Sequence, residues 1–105
     1  MTFELGIDLG ETRVSAAVAR GGTMRMVSFG GTRSMPFALH VGRDGTITAG
    51  HAALDAASAD PAGAVAGLAA RLDDPKSVVL NGYAITGEAL VAHLLAHVLD
   101  TAAAQ

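Results

Sequence analysis

The sequence predicts a mixed α/β chain: an N-terminal antiparallel β-meander, then a small α+β segment, then a C-terminal helix. Three observations carry this. Phe3, Leu5, Ile7 and Leu9 alternate with Glu4, Gly6 and Asp8, the period of two that a strand requires. Gly21-Gly22 and Asn81-Gly82 are hairpin dipeptides set between apolar runs. Near the end, Leu90, Leu94 and Val98 form one helical row and Val91, Leu95 and Leu99 the next, together a broad apolar face.

The elements follow in order. The first strand ends at a Gly10-Glu11 turn. A second strand is expected over about Arg13–Ala19 and a third over about Met24–Phe29, with Met24 and Met26 on one face. Gly30 to Ser34 reads as a polar loop that is able to meet an anion, though more often such a stretch is only a connection. Pro36 opens a fourth strand, Phe37–Val41, where a missing N–H is tolerated. Arg43-Asp44-Gly45 turns the chain into Thr46-Ile47-Thr48. His51–Ala59 is Ala-rich and helical, stopped by Asp60-Pro61. Ala62–Leu72 reads as a weaker helix, since Gly63 and Gly67 each cost up to about 1 kcal/mol against Ala. Asp73-Asp74-Pro75 breaks it, and a turn is the simpler reading of that acidic pair. Ser77–Leu80 and Tyr83–Ile85 flank Asn81-Gly82. Thr86 is a suitable N-cap for the last helix, with Glu88 in its first turn.

Composition narrows the function classes. At 105 residues, one domain is expected. Half the residues are hydrophobic, but many are Ala, so the larger aliphatic side chains must build the core. The absence of Cys excludes disulfides, thiolate catalysis and Cys-ligated zinc. A net charge of −3 with seven scattered basic residues argues against a nucleic-acid partner. Leu90–Leu99 falls far short of the ~20 apolar residues of a membrane span, and Met1-Thr2-Phe3-Glu4 lacks a basic n-region and an apolar h-region. The expected location is the cytoplasm, with no membrane contact by this segment.

The informative stretch is Gly6-Ile7-Asp8-Leu9-Gly10-Glu11-Thr12. It ends a strand, sets a carboxylate there and turns on glycine. Glycine lets backbone amides approach phosphate oxygens. Thr12 adds a hydroxyl donor. Asp8 is the candidate metal residue, facing a phosphate-bridging magnesium through water. A plain hairpin with Asp at its rim has the same sequence, and spacing alone leaves both readings open.

Leu5-Gly6-Ile7-Asp8-Leu9-Gly10-x-Thr12, followed by the small-residue strand Ser15-Ala16-Ala17-Val18, resembles the first phosphate loop of the actin-like ATPase superfamily of Hsp70 chaperones, actins and sugar kinases. Pro36, Gly45, Ala49-Gly50-x-x-Ala53, Pro61, Leu72-x-Asp74-Pro75 and Thr86-x-Glu88-Ala89-Leu90-Val91-Ala92 follow in an order similar to the N-terminal part of Hsp70 nucleotide-binding domains, especially those of Hsp70-like proteins of actinobacteria. The resemblance covers nearly the whole chain. It implies a partial ribonuclease-H-like meander carrying the phosphate loop over residues 1–35, and a small subdomain with a connecting helix over 36–105. It implies that Gly10, Glu11 and Thr12 meet phosphate and Asp8 the magnesium side. ATP or ADP with Mg2+ is then the cofactor of a complete parent, with none expected for the isolated chain.

Two departures point to a degenerate site. Glu11 stands where the family has threonine, and a carboxylate beside polyphosphate is repulsive in a cleft. Ala69 occupies the place of the family's catalytic lysine, and Arg71 is an imperfect substitute in geometry and reach. The second phosphate loop, the adenosine pocket and the second lobe have no counterpart, so catalysis by this chain alone is not expected.

Other polar residues read more simply. His93 and His97 are spaced i, i+4 on the polar flank of the last helix and are expected to be solvated rather than metal-bound. His40 and His51 read as structural or surface. Ser15 and Ser34 lack a nucleophile elbow. Three functions therefore compete: an incomplete or degenerate ATP-binding module with a regulatory or protein-interaction role, a fragment of an active chaperone ATPase or sugar kinase, and a self-associating domain that binds no nucleotide. The expected partners are the remainder of a longer polypeptide and, for the isolated chain, a second copy in a homodimer.

Overall fold

The computed structural model describes residues 3–66 and 76–105. Among them the chain is mixed α/β, with antiparallel strands in three sheets and two α-helices. Strand β1 (Glu4–Leu9) pairs along its length with β2 (Arg13–Arg20), Ile7 opposite Ala16 and Asp8 opposite Ser15. The other edge of β2 is shared. Its second half pairs with β3 (Thr23–Met26) and its first half with β4 (Ser34–Pro36).

The tight turns are glycine-driven. Gly21 and Gly22, Gly30 and Gly31, and Asn81 and Gly82 all have positive φ, the signature of two-residue type I′ hairpins. The second pair is a correction to the sequence reading. Gly30-Gly31 is not part of an open loop but the tip of a small hairpin in which Phe29 bridges Thr32. The third strand is shorter than expected for the same reason, ending at Met26 before the chain bends toward that tip.

Pro36 closes a strand rather than opening one. Phe37 N donates to Thr12 O at 2.8 Å, so by antiparallel alternation the neighbouring pair Pro36–Arg13 is a non-hydrogen-bonded one. The proline nitrogen faces away from β2 and the missing N–H costs nothing there. At Phe37 the chain leaves the first sheet. Strand β5 (Ala38–Val41) then sits between β6 (Ile47–Ala49) and β7 (Ala64–Ala66) in a second antiparallel sheet. Helix α1 (His51–Ala59) has the expected bounds and packs on β5 through the buried Ala53.

A second correction concerns the weak helix expected from Ala62. Pro61–Gly63 is a single 3-10 turn, and Ala64–Ala66 is β7, paired with Ala38–His40. Alanine is the best helix former, but helix propensity is worth under about 1 kcal/mol per residue, and a buried strand offering a free edge overrides it. The rest of that stretch, with Ala69, Arg71 and Asp73-Asp74-Pro75, lies outside the described residues.

The hairpin of β8 (Val78–Leu80) and β9 (Tyr83–Ile85) leads into helix α2 (Gly87–Ala103). Thr86 caps it, its hydroxyl accepting from Ala89 N at 3.2 Å. One helical row, Leu90, Leu94 and Val98, is fully buried. The next row emerges gradually: Val91 is buried, Leu95 partly so and Leu99 exposed. These side chains meet Val14, Ala16 and Val18 of β2 and Phe37, Leu39 and Val41 from the region of β5 in one continuous core. Each large aliphatic group removed from water there contributes about 1.5–3 kcal/mol. Among the described residues no helix is long and apolar enough to cross a membrane.

Candidate functional site: the turn between β1 and β2

Asp8 lies next to the end of β1, and Gly10 to Thr12 make the turn into β2. Gly10 N donates to Arg13 O at 2.9 Å, which closes the turn. Gly10 does not have a positive φ. What holds glycine there is space, because a Cβ would come within 3.1 Å of Arg13 O. The amides of Glu11 and Thr12 have no acceptor among the described residues, and Asp8, Glu11 and Thr12 are all exposed. The carbonyl of Thr12 is occupied by Phe37 N, which ties the turn to the start of the second sheet.

The turn thus brings together the four residues the sequence singles out: Asp8, Gly10, Glu11 and Thr12. It presents two free amides and one hydroxyl beside two carboxylates. Arg13, the nearest cation in sequence, is directed elsewhere. Its Nε donates to Ser34 Oγ at 2.7 Å and its Nη2 to Ser34 O at 3.2 Å, holding β4 against β2. Two carboxylates with no facing cation shown among the described residues disfavour an anion unless a metal ion sits between them. Among the described residues there is no cluster of three His, Cys, Asp or Glu side chains fit to hold a metal. Asp8 by itself offers magnesium one ligand of six, which leaves the rest to water and phosphate. The residues present fit one face of a phosphate and do not enclose it.

The hydrogen-bond parity of β1 matters for partners. Because the Gly10–Arg13 pair is bonded, Asp8, Gly6 and Glu4 bond to β2 in turn, and the N–H and C=O groups of Leu5, Ile7 and Leu9 point to the outer edge. No strand among the described residues pairs with that edge. The sheet face beside it carries Ser15, Ala17 and Ala19, with Met24 and Met26 across from the two alanines; the two methionines share one face of β3, as the sequence expects, and that face is exposed.

The histidines divide. His93 and His97 are exposed on α2, beside a cavity of about 220 Å³ that also holds Thr48, whose hydroxyl is buried without a partner. His51 is exposed and its Nε2 lies 3.2 Å from Thr32 Oγ1. His40 is structural. It is buried, its Nε2 lies 2.9 Å from Asp60 O, and it faces Asp60 Oδ2 at 3.6 Å. Asn81 Nδ2 donates to the same carboxylate at 2.7 Å and to Val41 O at 2.8 Å. Local spacing carried no signal for this network, since Asp60 and Asn81 arrive from other elements. Sequence reasoning also missed a pair of arginines, Arg20 and Arg25, that flank the Gly21-Gly22 hairpin. The signal was available, because hairpin register sets them on one face.

In comparisons with known proteins, no family model matches the chain and no curated protein is significantly similar to it.

Proposed function

We propose that the chain is the N-terminal portion of an Hsp70-like nucleotide-binding domain with a degenerate or incomplete ATP site, acting as a regulatory or protein-interaction module. On this reading the first sheet is the start of a ribonuclease-H-like core. The observation that carries the proposal is the β1–β2 turn, which offers the free amides of Glu11 and Thr12 next to the Asp8 carboxylate at a strand end. Its openness argues for incompleteness. A phosphoryl-transfer site surrounds its phosphates, and this turn touches one side. The rest of a longer polypeptide supplies the other sides and a strand for the free edge of β1.

Titration of the parent protein with ATP and magnesium tests this. Weak or absent binding is expected, strengthened by Glu11→Thr, which removes the repulsive carboxylate. ATP hydrolysis at ordinary chaperone rates by the unaltered parent sinks the degenerate reading and favours an active ATPase or sugar kinase. In that case Ala69→Lys changes little, whereas on the degenerate reading it raises activity.

The unpaired edge of β1 and the exposed Met24 and Met26 favour a second reading for the isolated chain, a homodimer without nucleotide. Antiparallel pairing of two β1 edges with Ile7 opposite its copy sets Leu5 against Leu9 and Asp8 against Gly6, which avoids facing carboxylates. Sedimentation equilibrium of the 105-residue chain decides it: a single monomeric species at millimolar concentration removes this reading.

A further inference from the structure

At the end of β2 remote from the Asp8–Thr12 turn, roughly 23 Å away by strand rise, the first sheet, the end of α2 and Gln105 line a half-open hollow of about 190 Å³. Its floor is apolar, made by Val18, Val27 and Ala102. Its rim carries two guanidinium groups. Val18 pairs with Arg25 and Arg20 with Thr23, so both arginines extend from the same sheet face on adjacent strands.

Neither arginine meets an Asp or Glu side chain among the described residues, and in the 105-residue chain the one carboxylate at hand is the terminal group of Gln105, which Arg20 binds. Arg20 is held from two directions. Its Nη1 donates to Gln105 O at 3.1 Å, and its Cζ lies 4.9 Å from the centroid of the Phe3 ring. Its Nε, in contrast, is buried without an acceptor. A buried donor left unpaired is costly, and two like charges at one cavity add repulsion. Gln105 itself is fixed, exchanging hydrogen bonds with the backbone of Ser28 at 2.9 and 2.6 Å, so the wall it forms is defined.

We propose that this cavity binds a small organic anion, its carboxylate or phosphate head between Arg20 and Arg25 and its apolar part on Val18, Val27 and Ala102. The anion satisfies the orphaned Nε of Arg20 and answers the charge of Arg25. Arginine is suited to either head because its planar fork pairs two N–H groups with two oxygens. The volume is that of about six waters, which limits the ligand to metabolite size. The site is independent of any nucleotide at the β1–β2 turn.

The test is an NMR titration of the 105-residue chain with three probes of similar shape: benzoate, phenyl phosphate and neutral benzamide. Saturable shifts are expected at the Arg20 and Arg25 Nε–H signals and at the amides of Thr23, Val27 and Ala102, for one or both anions. The tighter of the two identifies the head group. Arg25→Met keeps the stem and removes the charge, and should weaken anion binding about tenfold or more. Arg25 is exposed, so the variant's melting temperature should match that of the unaltered chain. Equal binding of benzamide, or unchanged anion binding in a folded Arg25→Met variant, overturns the proposal.

Discussion

Replacing Gly63 by alanine should damage this protein more than its size suggests. Gly63 does not have a positive φ, so the residue is fixed by space and not by conformation. A Cβ added there would overlap Val41 O and lie 2.7 Å from Asn81 Nδ2 and 2.8 Å from His40 Nε2. None of these atoms is free to retreat. Asn81 Nδ2 bridges Val41 O and Asp60 Oδ2, and His40 Nε2 is bonded to Asp60 O. Overpacking alone costs about 1–3 kcal/mol. Displacing Asn81 loses two hydrogen bonds at about 1 kcal/mol each. The sum, about 3–5 kcal/mol, is a large share of the stability of a small domain. Urea denaturation followed by circular dichroism measures it, and a fall in melting temperature of about 10 °C or more should accompany it. Gly6→Ala is the matched control. The same methyl there meets nothing within 4 Å, and in a strand interior it should stabilise by about 0.5–1 kcal/mol. If Gly63→Ala costs under about 1 kcal/mol, the packed network is wrong. The Gly63→Ala, Asn81→Ala pair should cost less than the sum of its singles, because the second change opens room for the first.

Three further outcomes follow from the same structure. Thr86→Ala should lose about 1 kcal/mol by removing the cap on α2, read as a lower urea midpoint with an unchanged slope. Leu94→Ala, at a fully buried site facing the core, should cost about 2–5 kcal/mol in the same assay. Asp44 accepts from Thr46 N at 3.0 Å, and hydrogen bonding to Thr46 holds its carboxyl below the ordinary value. A depressed folded value means the turn gains stability above the unfolded pKa and loses it as pH falls through the folded one. A carboxyl NMR titration should therefore place the Asp44 midpoint below the usual ~3.9, with the Thr46 amide shift moving in step.

The elements that were legible are those whose signal is local. The alternation of Leu5, Ile7 and Leu9 gives β1, and Asp60-Pro61 stops α1 where the sequence says it must. Thr86 marks the start of α2 by the chemistry of its own hydroxyl. The illegible elements are those whose state is decided elsewhere. Ala64-Val65-Ala66 has no pattern to distinguish strand from helix, and it becomes β7 because β5 presents an edge. Pro36 belongs to a strand because the register of β2 turns its nitrogen outward, a fact that Phe37 N reveals and the sequence does not.

The same division separates the two candidate sites. Asp8, Gly10 and Thr12 sit within five residues, so their type and spacing suggest a phosphate loop from local sequence alone. Whether that loop closes over a ligand depends on partners far along the chain, and among the described residues the turn is open. The arginine cavity is the converse. Its parts come from β2, β3 and the end of α2, more than seventy residues apart, and no short motif links them. Once the Gly21-Gly22 hairpin fixes the register, Arg20 and Arg25 must share a face, and the docking of Gln105 on Ser28 then makes that face a wall. A protein with net charge −3 that gathers two of its few arginines around one apolar hollow, with no Asp or Glu side chain to answer them among the described residues, offers a place for an anion that its sequence pattern alone does not announce.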